Sequence, residues 1–287
     1  MSRPTKLEGR TWPIHVLLIL TVVVLIGPVM YAVLVATQSN AQFFGHQLRP
    51  GDRLDENFDA VWNSRSLGRY MINSLVVAVI IAVVKAITAI LAGMAFVYFR
   101  FPGKWLIFGF VLVTLLMPTE ISILALFKQV SDFGWAEPSH IKGTPWETPV
   151  ALGLVVPFFA SATGAFLFRQ HFASLPAELS EAAQIDGVSP LQFLTKVLVP
   201  LSWNAIGALL VIQFIYAWNM YAWPRLLIPD ERDQVVQAGL ASLSGADQAQ
   251  VFGPLMLGAL LASIPPIIVF LLLQKPFMSG MAVGRDK

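Results

Sequence analysis

An all-α, polytopic membrane protein with six transmembrane helices is the fold class that three features of the sequence predict. Hydrophobic residues fill 56% of the 287 positions, only 13% are charged, and the mean hydropathy is +0.68. A water-soluble domain carries about 25% charged residues, so half of the usual charge is missing. The apolar residues also gather into six runs, each close to the ~20 residues that cross a ~30 Å hydrocarbon core. The net charge of +2 is too small to recommend nucleic acid as a partner, and the lipid bilayer is the first partner expected. Absent cysteine excludes disulfides, thiolate catalysis and Cys-ligated metals.

The first run, about 13–36, follows Arg3, Lys6 and Arg10. It is longer than the apolar core of a signal peptide and further runs follow it, so it is read as a retained helix. The second, about 70–98, ends at Arg100-Phe101-Pro102-Gly103-Lys104, where proline and glycine break the helix and two cations hold the turn at the surface. The remaining spans are about 105–127, 150–168, 204–228 and 252–273. An even number of spans puts both termini on one side. That side holds Arg3, Lys6, Arg10, Arg100, Lys104, Arg169, Lys196, Lys275, Arg285 and Lys287, concentrated in the two tails and the short loop, which makes it the cytoplasm. Arg49, Arg53, Arg65, Arg69, Lys128, Lys142, Arg225 and Arg232 then lie outside. The segments 37–69 and 169–203 are too short to bury cores of their own, so residues 1–287 read as one transmembrane domain. The outer loop 128–149, with Gly134, Pro138, Gly143 and Pro145, is expected to be irregular.

The inner loop 169–203 is the most informative segment. Pro176 suits the first turn of one short helix, and Gly187 is a left-handed residue just past its end. Ser189 offers an N-cap, Pro190 the first helical position, and Gln192 the reciprocal partner of a capping box. Pro200 marks the approach to the fifth span. Glu178 and Glu181 share a helix face, where they can meet cations on a partner, and Ala182 and Ala183 leave room for close approach. A solvated loop helix with ordinary surface charges is the alternative reading of the same residues.

Glu181-Ala182-Ala183, Gly187 and Val197-Leu198-Val199-Pro200 resemble the EAA loop of ABC importer permeases. That signature runs Glu-Ala-Ala, three residues, Gly, nine residues, Ile-x-Leu-Pro; the spacing matches, with Val197 and Val199 in place of Ile and Leu. Phe99-Arg100-Phe101-Pro102-Gly103-Lys104, Trp218-Asn219-Met220-Tyr221-Ala222-Trp223-Pro224 and the tail from Gln274 are similar to the carbohydrate-type permeases, the group of the maltose transporter's smaller permease subunit. Leu116-Met117-Pro118-Thr119-Glu120, Thr163 to Gln170, Phe214 to Asn219 and Ile264-Pro265-Pro266 look closest to the glycerol-3-phosphate permease subunits. The resemblance implies a second permease subunit, an ATPase subunit dimer and an extracytoplasmic substrate-binding protein as partners, in a bacterial inner membrane. It implies that Glu178, Glu181, Ala182, Ala183, Asp186 and Gly187 form the docking element for the ATPase. ATP and Mg are then expected on that subunit, with no cofactor on this chain, which has no Gly-x-x-x-x-Gly-Lys-Ser/Thr phosphate loop.

Two charges interrupt apolar runs. Lys85 in the second span and Glu120 in the third each cost on the order of 3 kcal/mol at the bilayer centre. At about 1.5 Å per residue, Lys85 lies roughly 20 Å from Tyr98 and Glu120 about 22 Å from Trp105, so antiparallel helices bring them to similar depth. They can pair and fix helix packing, or Lys85 can face a water-filled path and attract a phosphate, or it can face the partner permease. In the fifth run Trp218, Asn219 and Tyr221, with Trp223, combine an amide with aromatic faces suited to a glycerol or sugar backbone. The same residues suit an interfacial aromatic belt and an interhelical hydrogen bond.

The expected function is therefore that of a permease subunit, a conduit and lever rather than a catalyst, for glycerol 3-phosphate or a glycerophosphodiester. A neutral-sugar importer of the maltose type is the alternative within the class. An ion-coupled secondary transporter using Lys85 and Glu120 is the alternative outside it, and leaves the EAA loop unexplained.

Overall fold

Apolar runs punctuated by proline and glycine fold into helices throughout the computed structural model, which describes residues 12–117, 119–136, 151–243 and 251–282. Arg3, Lys6, Arg10, Lys142, Arg285 and Lys287, and most of the outer loop read as irregular, lie outside the described residues. In chain order the helices are α1 (Trp12–Ala36), α2 (Asn40–Phe44), α3 (Leu54–Asp59), α4 (Leu67–Tyr98), α5 (Lys104–Thr114), α6 (Thr119–Asp132), α7 (Ala151–Val155), α8 (Ala162–Ala173), α9 (Ala177–Ile185), α10 (Pro190–Phe193), α11 (Val199–Leu201), α12 (Trp203–Trp218), α13 (Ala222–Leu227), α14 (Val236–Ser242) and α15 (Phe252–Ala282).

Among the described residues, four stretches are long and apolar enough to cross a membrane: Trp12–Ala36, Leu67–Tyr98, Leu152–Ala173 and Phe252–Lys275. A fifth is a bent pair, Pro190–Leu201 with Trp203–Trp218, whose halves meet at 80°. Two runs that read as single spans are divided. The run 105–127 becomes α5 and α6, separated after Thr114 by Leu115-Leu116-Met117; the proline that follows in the sequence lacks the N–H that a helix needs and disfavours helix at the residue before it. The run 204–228 ends its helix at Trp218 and resumes as α13. In a continuous helix the Pro224 ring would collide with the carbonyl of Met220, four residues back.

The chain divides into two compact units, Met1–Arg65 with Ser242–Leu261, and Ser66–Ala241 with Ala262–Lys287. In the first, α1 is exposed along nearly its whole length and only Val35 and Ala36 are buried. The segment after it is tied by polar bonds: buried Gln38 donates from Nε2 to the carbonyls of Gln47 and Arg49, at 2.7 and 2.8 Å, and Asn57 Nδ2 donates to Ala36 O at 2.9 Å. Phe43 stacks on Phe252 at 4.1 Å between ring centroids.

In the second unit α4 is the central post, packed against α8 and α12. Its inward face carries the small residues Ala78, Ala82, Ala86, Ala89 and Gly93 at helical spacing, which lets neighbouring backbones approach closely, as helices do inside a membrane. A Cβ on Gly93 would sit 2.5 Å from Phe168 Cβ, and one on Gly164 would sit 2.6 Å from Ala89 Cβ. The core beside this crossing gathers Ile90, Met94, Phe168, Phe172, Phe193, Leu194, Leu198, Ile206 and Leu209. At the other end of α4, Arg69 Nη2 donates to Asp233 Oδ1 at 2.6 Å and Ser74 Oγ accepts from Val236 N–H at 2.8 Å, fastening the chain before α14.

Candidate coupling surface and translocation cavity

The 169–203 segment folds as its local chemistry dictates. Pro176 takes the N-cap of α9, one position before the first turn, and Gly187 adopts φ +64° just past its end. Gly187 N–H donates to Gln184 O at 3.2 Å and Val188 N–H to Ala183 O at 3.0 Å, the paired bonds of a glycine-terminated helix. Ser189 then caps α10: its Oγ accepts from Gln192 N–H at 3.4 Å, while Gln192 Oε1 accepts from Ser189 N–H at 3.2 Å.

Glu178, Glu181, Ala182, Asp186 and Gly187 are all exposed, and Ala183 is half-buried, turned with Val188 toward the core. Two apolar side chains complete the outer face: Ile185 is 86% exposed and Leu191 is 67% exposed. Ile185 falls on the helix face of Glu178, Glu181 and Ala182, a spacing the sequence itself carries. The result is an apolar knob rimmed by carboxylates, suited to an apolar cleft with a basic rim. Beneath it, Phe193, Leu194 and Leu198 are packed with Phe168 and Phe172 of α8 and Ile206 of α12, and the Tyr98 and Phe193 rings meet edge to face at 5.3 Å. A π-helical turn, Leu194–Leu198, links α10 to α11. At the 80° bend, buried Ser202 Oγ lies 3.0 Å from His171 Nε2 of α8.

A cavity of about 640 Å³ opens between α4, α6, α12, α13 and the segment 157–160. Lys85 reaches its wall from α4, with Ser122 from α6, Tyr216 from α12, and Asn219 and Tyr221 from the link between α12 and α13. The Lys85 ammonium is buried; it donates to Gln213 Oε1 at 3.0 Å and lies 4.4 Å from the centre of the Tyr216 ring. Among the described residues no carboxylate lies within ion-pair distance of it. Asn219 donates from Nδ2 to Ile215 O at 2.8 Å and accepts at Oδ1 from Gln237 at 3.0 Å, leaving one N–H and one lone pair for a ligand. The cavity thus offers one cation, two phenols, an amide and the two hydroxyls of Thr114 and Ser122 on a mostly apolar wall.

The structure therefore brings Lys85, Asn219 and Tyr221 together and sets Trp218 apart. Trp218 is fully buried, stacked on Phe214 at 5.8 Å, and does not line the cavity. Glu120 belongs to α6, and its side chain lies outside the described residues. Gln213 and Tyr216 are site residues that sequence reasoning misses; the signal for Gln213 is an amide inside an apolar run, which needs a partner across helices. Among the described residues, no three His, Asp or Glu side chains gather as a metal site requires.

Comparison with known proteins places this arrangement. The sequence model of the family described as the binding-protein-dependent transport system inner membrane component matches residues 85–282. The sn-glycerol-3-phosphate transport system permease protein UgpE of Brucella melitensis biotype 1 is 37% identical over 277 residues, which cover 93% of this chain and 94% of that protein. The proteins of the same name from Rhizobium meliloti and Pectobacterium atrosepticum are 35% and 36% identical, again over 93% of this chain and 94% of theirs. A crystal structure of a bacterial ABC transporter involved in the import of the acidic polysaccharide alginate contains a chain of similar fold, with a TM-score of 0.75 and 22% identity over 94% of this chain and 99% of that one. This chain is a permease of the ABC type and belongs to the family of inner membrane components of binding-protein-dependent transport systems.

Proposed function

We propose that the chain forms half of the translocation path of an importer for glycerol 3-phosphate or a related glycerophosphodiester. A second permease subunit supplies the other half, and an extracytoplasmic binding protein delivers the substrate. A dimer of ATPase subunits, carrying ATP and Mg, docks on the α9–α10 surface from the cytoplasm, where both termini also lie. Closure of that dimer displaces α9 through Glu178, Glu181, Ala182 and Asp186. The displacement passes through Phe193, Leu194 and Leu198 into α8 and α12, and α12 carries Tyr216 at the cavity wall and Gln213, which holds Lys85 there.

The observation that carries the substrate reading is Lys85 at the cavity wall with no carboxylate beside it among the described residues. A phosphate is drawn to that ammonium, while Tyr216, Tyr221, Asn219 and Ser122 supply hydrogen bonds to glycerol hydroxyls. The relatives named for glycerol-3-phosphate transport support the same class. A neutral-sugar path is favoured by one specific observation, the bond from Lys85 to Gln213, which gives the lysine a structural role. The Lys85–Glu120 pair is a third proposal, tested by whether Glu120→Gln rescues Lys85→Met.

The discriminating experiment is ATPase activity of the reconstituted transporter with its binding protein, comparing glycerol 3-phosphate, a glycerophosphodiester and maltose. Stimulation by the phosphate compounds alone is expected. Stimulation by maltose alone would return Lys85 to a structural role, and uptake without ATP would revive the ion-coupled carrier.

A further inference from the structure

Where α4 gives way to α5, the chain turns through Phe99-Arg100-Phe101-Pro102-Gly103, with Gly103 at φ +73°. A cleft of about 370 Å³ lies there, lined by Arg100, Phe101, Gly103, Lys104, Trp105 and Leu106. It is at the same end of the second unit as the coupling loop, because Tyr98, the last residue of α4, touches Phe193. Lys104 spends two donors on the end of α4, reaching Phe99 O at 3.0 Å and Val97 O at 3.4 Å, and retains a third. Arg100 is exposed. On the far side of Trp105, the Arg169 guanidinium lies 5.0 Å from the Trp105 ring and 4.7 Å from the Phe108 ring, and its buried Nε has no hydrogen-bond partner. Among the described residues, no carboxylate pairs with any of the three cations.

The second observation is what continues from the cleft. Trp105, Leu106, Phe110 and Val113 are 57–78% exposed along α5, so a wholly apolar face runs away from a cationic cleft with a tryptophan at its rim. A phospholipid has that shape in complement, with acyl chains for the apolar face and a phosphate for the cleft. Tryptophan prefers this depth, and juxtamembrane lysine and arginine attract anionic headgroups by about fivefold in affinity per cation.

We infer that the α4–α5 corner binds the phosphate group of an anionic phospholipid, held by Arg100 and Lys104 with its chains along α5. The site is separate from the cavity, and its existence does not depend on which substrate the transporter carries. Its position next to the Tyr98–Phe193 contact makes lipid occupancy a means of steadying the base of the coupling loop.

The test uses the full-length chain in nanodiscs and the Trp105-dependent part of its fluorescence, obtained by difference from Trp105→Phe. Brominated phosphatidylglycerol is compared with brominated phosphatidylcholine. The expected result is quenching at about 25-fold lower mole fraction for the anionic lipid, about fivefold for each of the two cations, reduced about fivefold in Arg100→Gln and kept in Arg100→Lys. Arg100 is exposed, so neither change disturbs packing. Inorganic phosphate, matched in ionic strength to chloride, should leave the preference unchanged. Equal quenching by the two lipids, or an undiminished preference in Arg100→Gln, would overturn the site. Displacement by inorganic phosphate alone would make a soluble anion the occupant and overturn the lipid assignment.

Discussion

The Lys85 ammonium donates to Gln213 Oε1 at 3.0 Å and so joins α4 to α12 at the wall of the cavity. The bond unites positions 128 residues apart. Tyr216, one helical turn beyond Gln213, places its ring 4.4 Å below the same ammonium. An amide and an aromatic face stabilise the charge without neutralising it, which is the condition a lysine needs to attract an anion. A carboxylate in the place of Gln213 would remove that attraction.

Loss of either member of this pair should cost stability, and loss of both should cost less than the sum. Gln213→Leu leaves a buried ammonium short of a bond and is expected to destabilise by about 1.5–3 kcal/mol. Lys85→Met strands only a neutral amide and should cost about 1–3 kcal/mol. Thermal unfolding of the four proteins of the cycle measures the coupling; strict additivity would mean the bond is not formed.

At the coupling surface, Ile185→Asp and Glu181→Lys are expected to act on association and not on folding, since both side chains are exposed. Burying an isoleucine in a partner stabilises by about 1.5–3 kcal/mol, so Ile185→Asp should weaken co-purification of the ATPase by about tenfold or more. Membrane insertion should be unchanged. Wild-type recovery of the ATPase with both variants would remove α9 from the docking surface.

Gly187 tests the loop's geometry in a different way. Its φ of +64° makes Gly187→Ala cost about 1 kcal/mol. The strain falls between α9 and α10, so transport per ATP hydrolysed should fall more than thermal stability does. An unchanged transport-to-hydrolysis ratio would count against a rigid loop.

The α4–α8 crossing gives a packing prediction with an internal control. Gly93→Ala places a methyl 2.5 Å from Phe168 Cβ and should destabilise by about 1–3 kcal/mol through overpacking. Gly109→Ala in α5 meets no atom within 4 Å and should be neutral or slightly stabilising, because alanine is the better helix former. Equal melting temperatures for the two variants would show that the crossing is looser than described.

How much of this was legible in the sequence follows from the range of the interactions. The loop 169–203 was legible because its determinants are local: Gly187 ends α9, and Ser189, Pro190 and Gln192 start α10, each within a few residues of the bonds they make. The divided runs at 105–127 and 204–228 were not, because hydropathy sums over a run and is blind to where Pro118 and Pro224 interrupt its hydrogen bonds. The cavity was half legible. Lys85 stood out as a charge among apolar neighbours, and Asn219 and Tyr221 as polar groups near a helix end. Gln213 and Tyr216 become site residues only through the packing of α12 on α4, which pattern alone does not fix. Trp218 illustrates the converse, since one side of α12 faces the cavity and the other the core, and Trp218 is on the core side.

Uptake of glycerol 3-phosphate into proteoliposomes, with Lys85→Met and Lys85→Arg set beside the wild type, is the most direct test of the cavity as an anion path. Lys85→Met should lose about tenfold or more of the uptake while the ATPase stays bound, and Lys85→Arg should retain most of it by keeping the charge. Undiminished uptake by an assembled Lys85→Met transporter would take the substrate path away from this cavity.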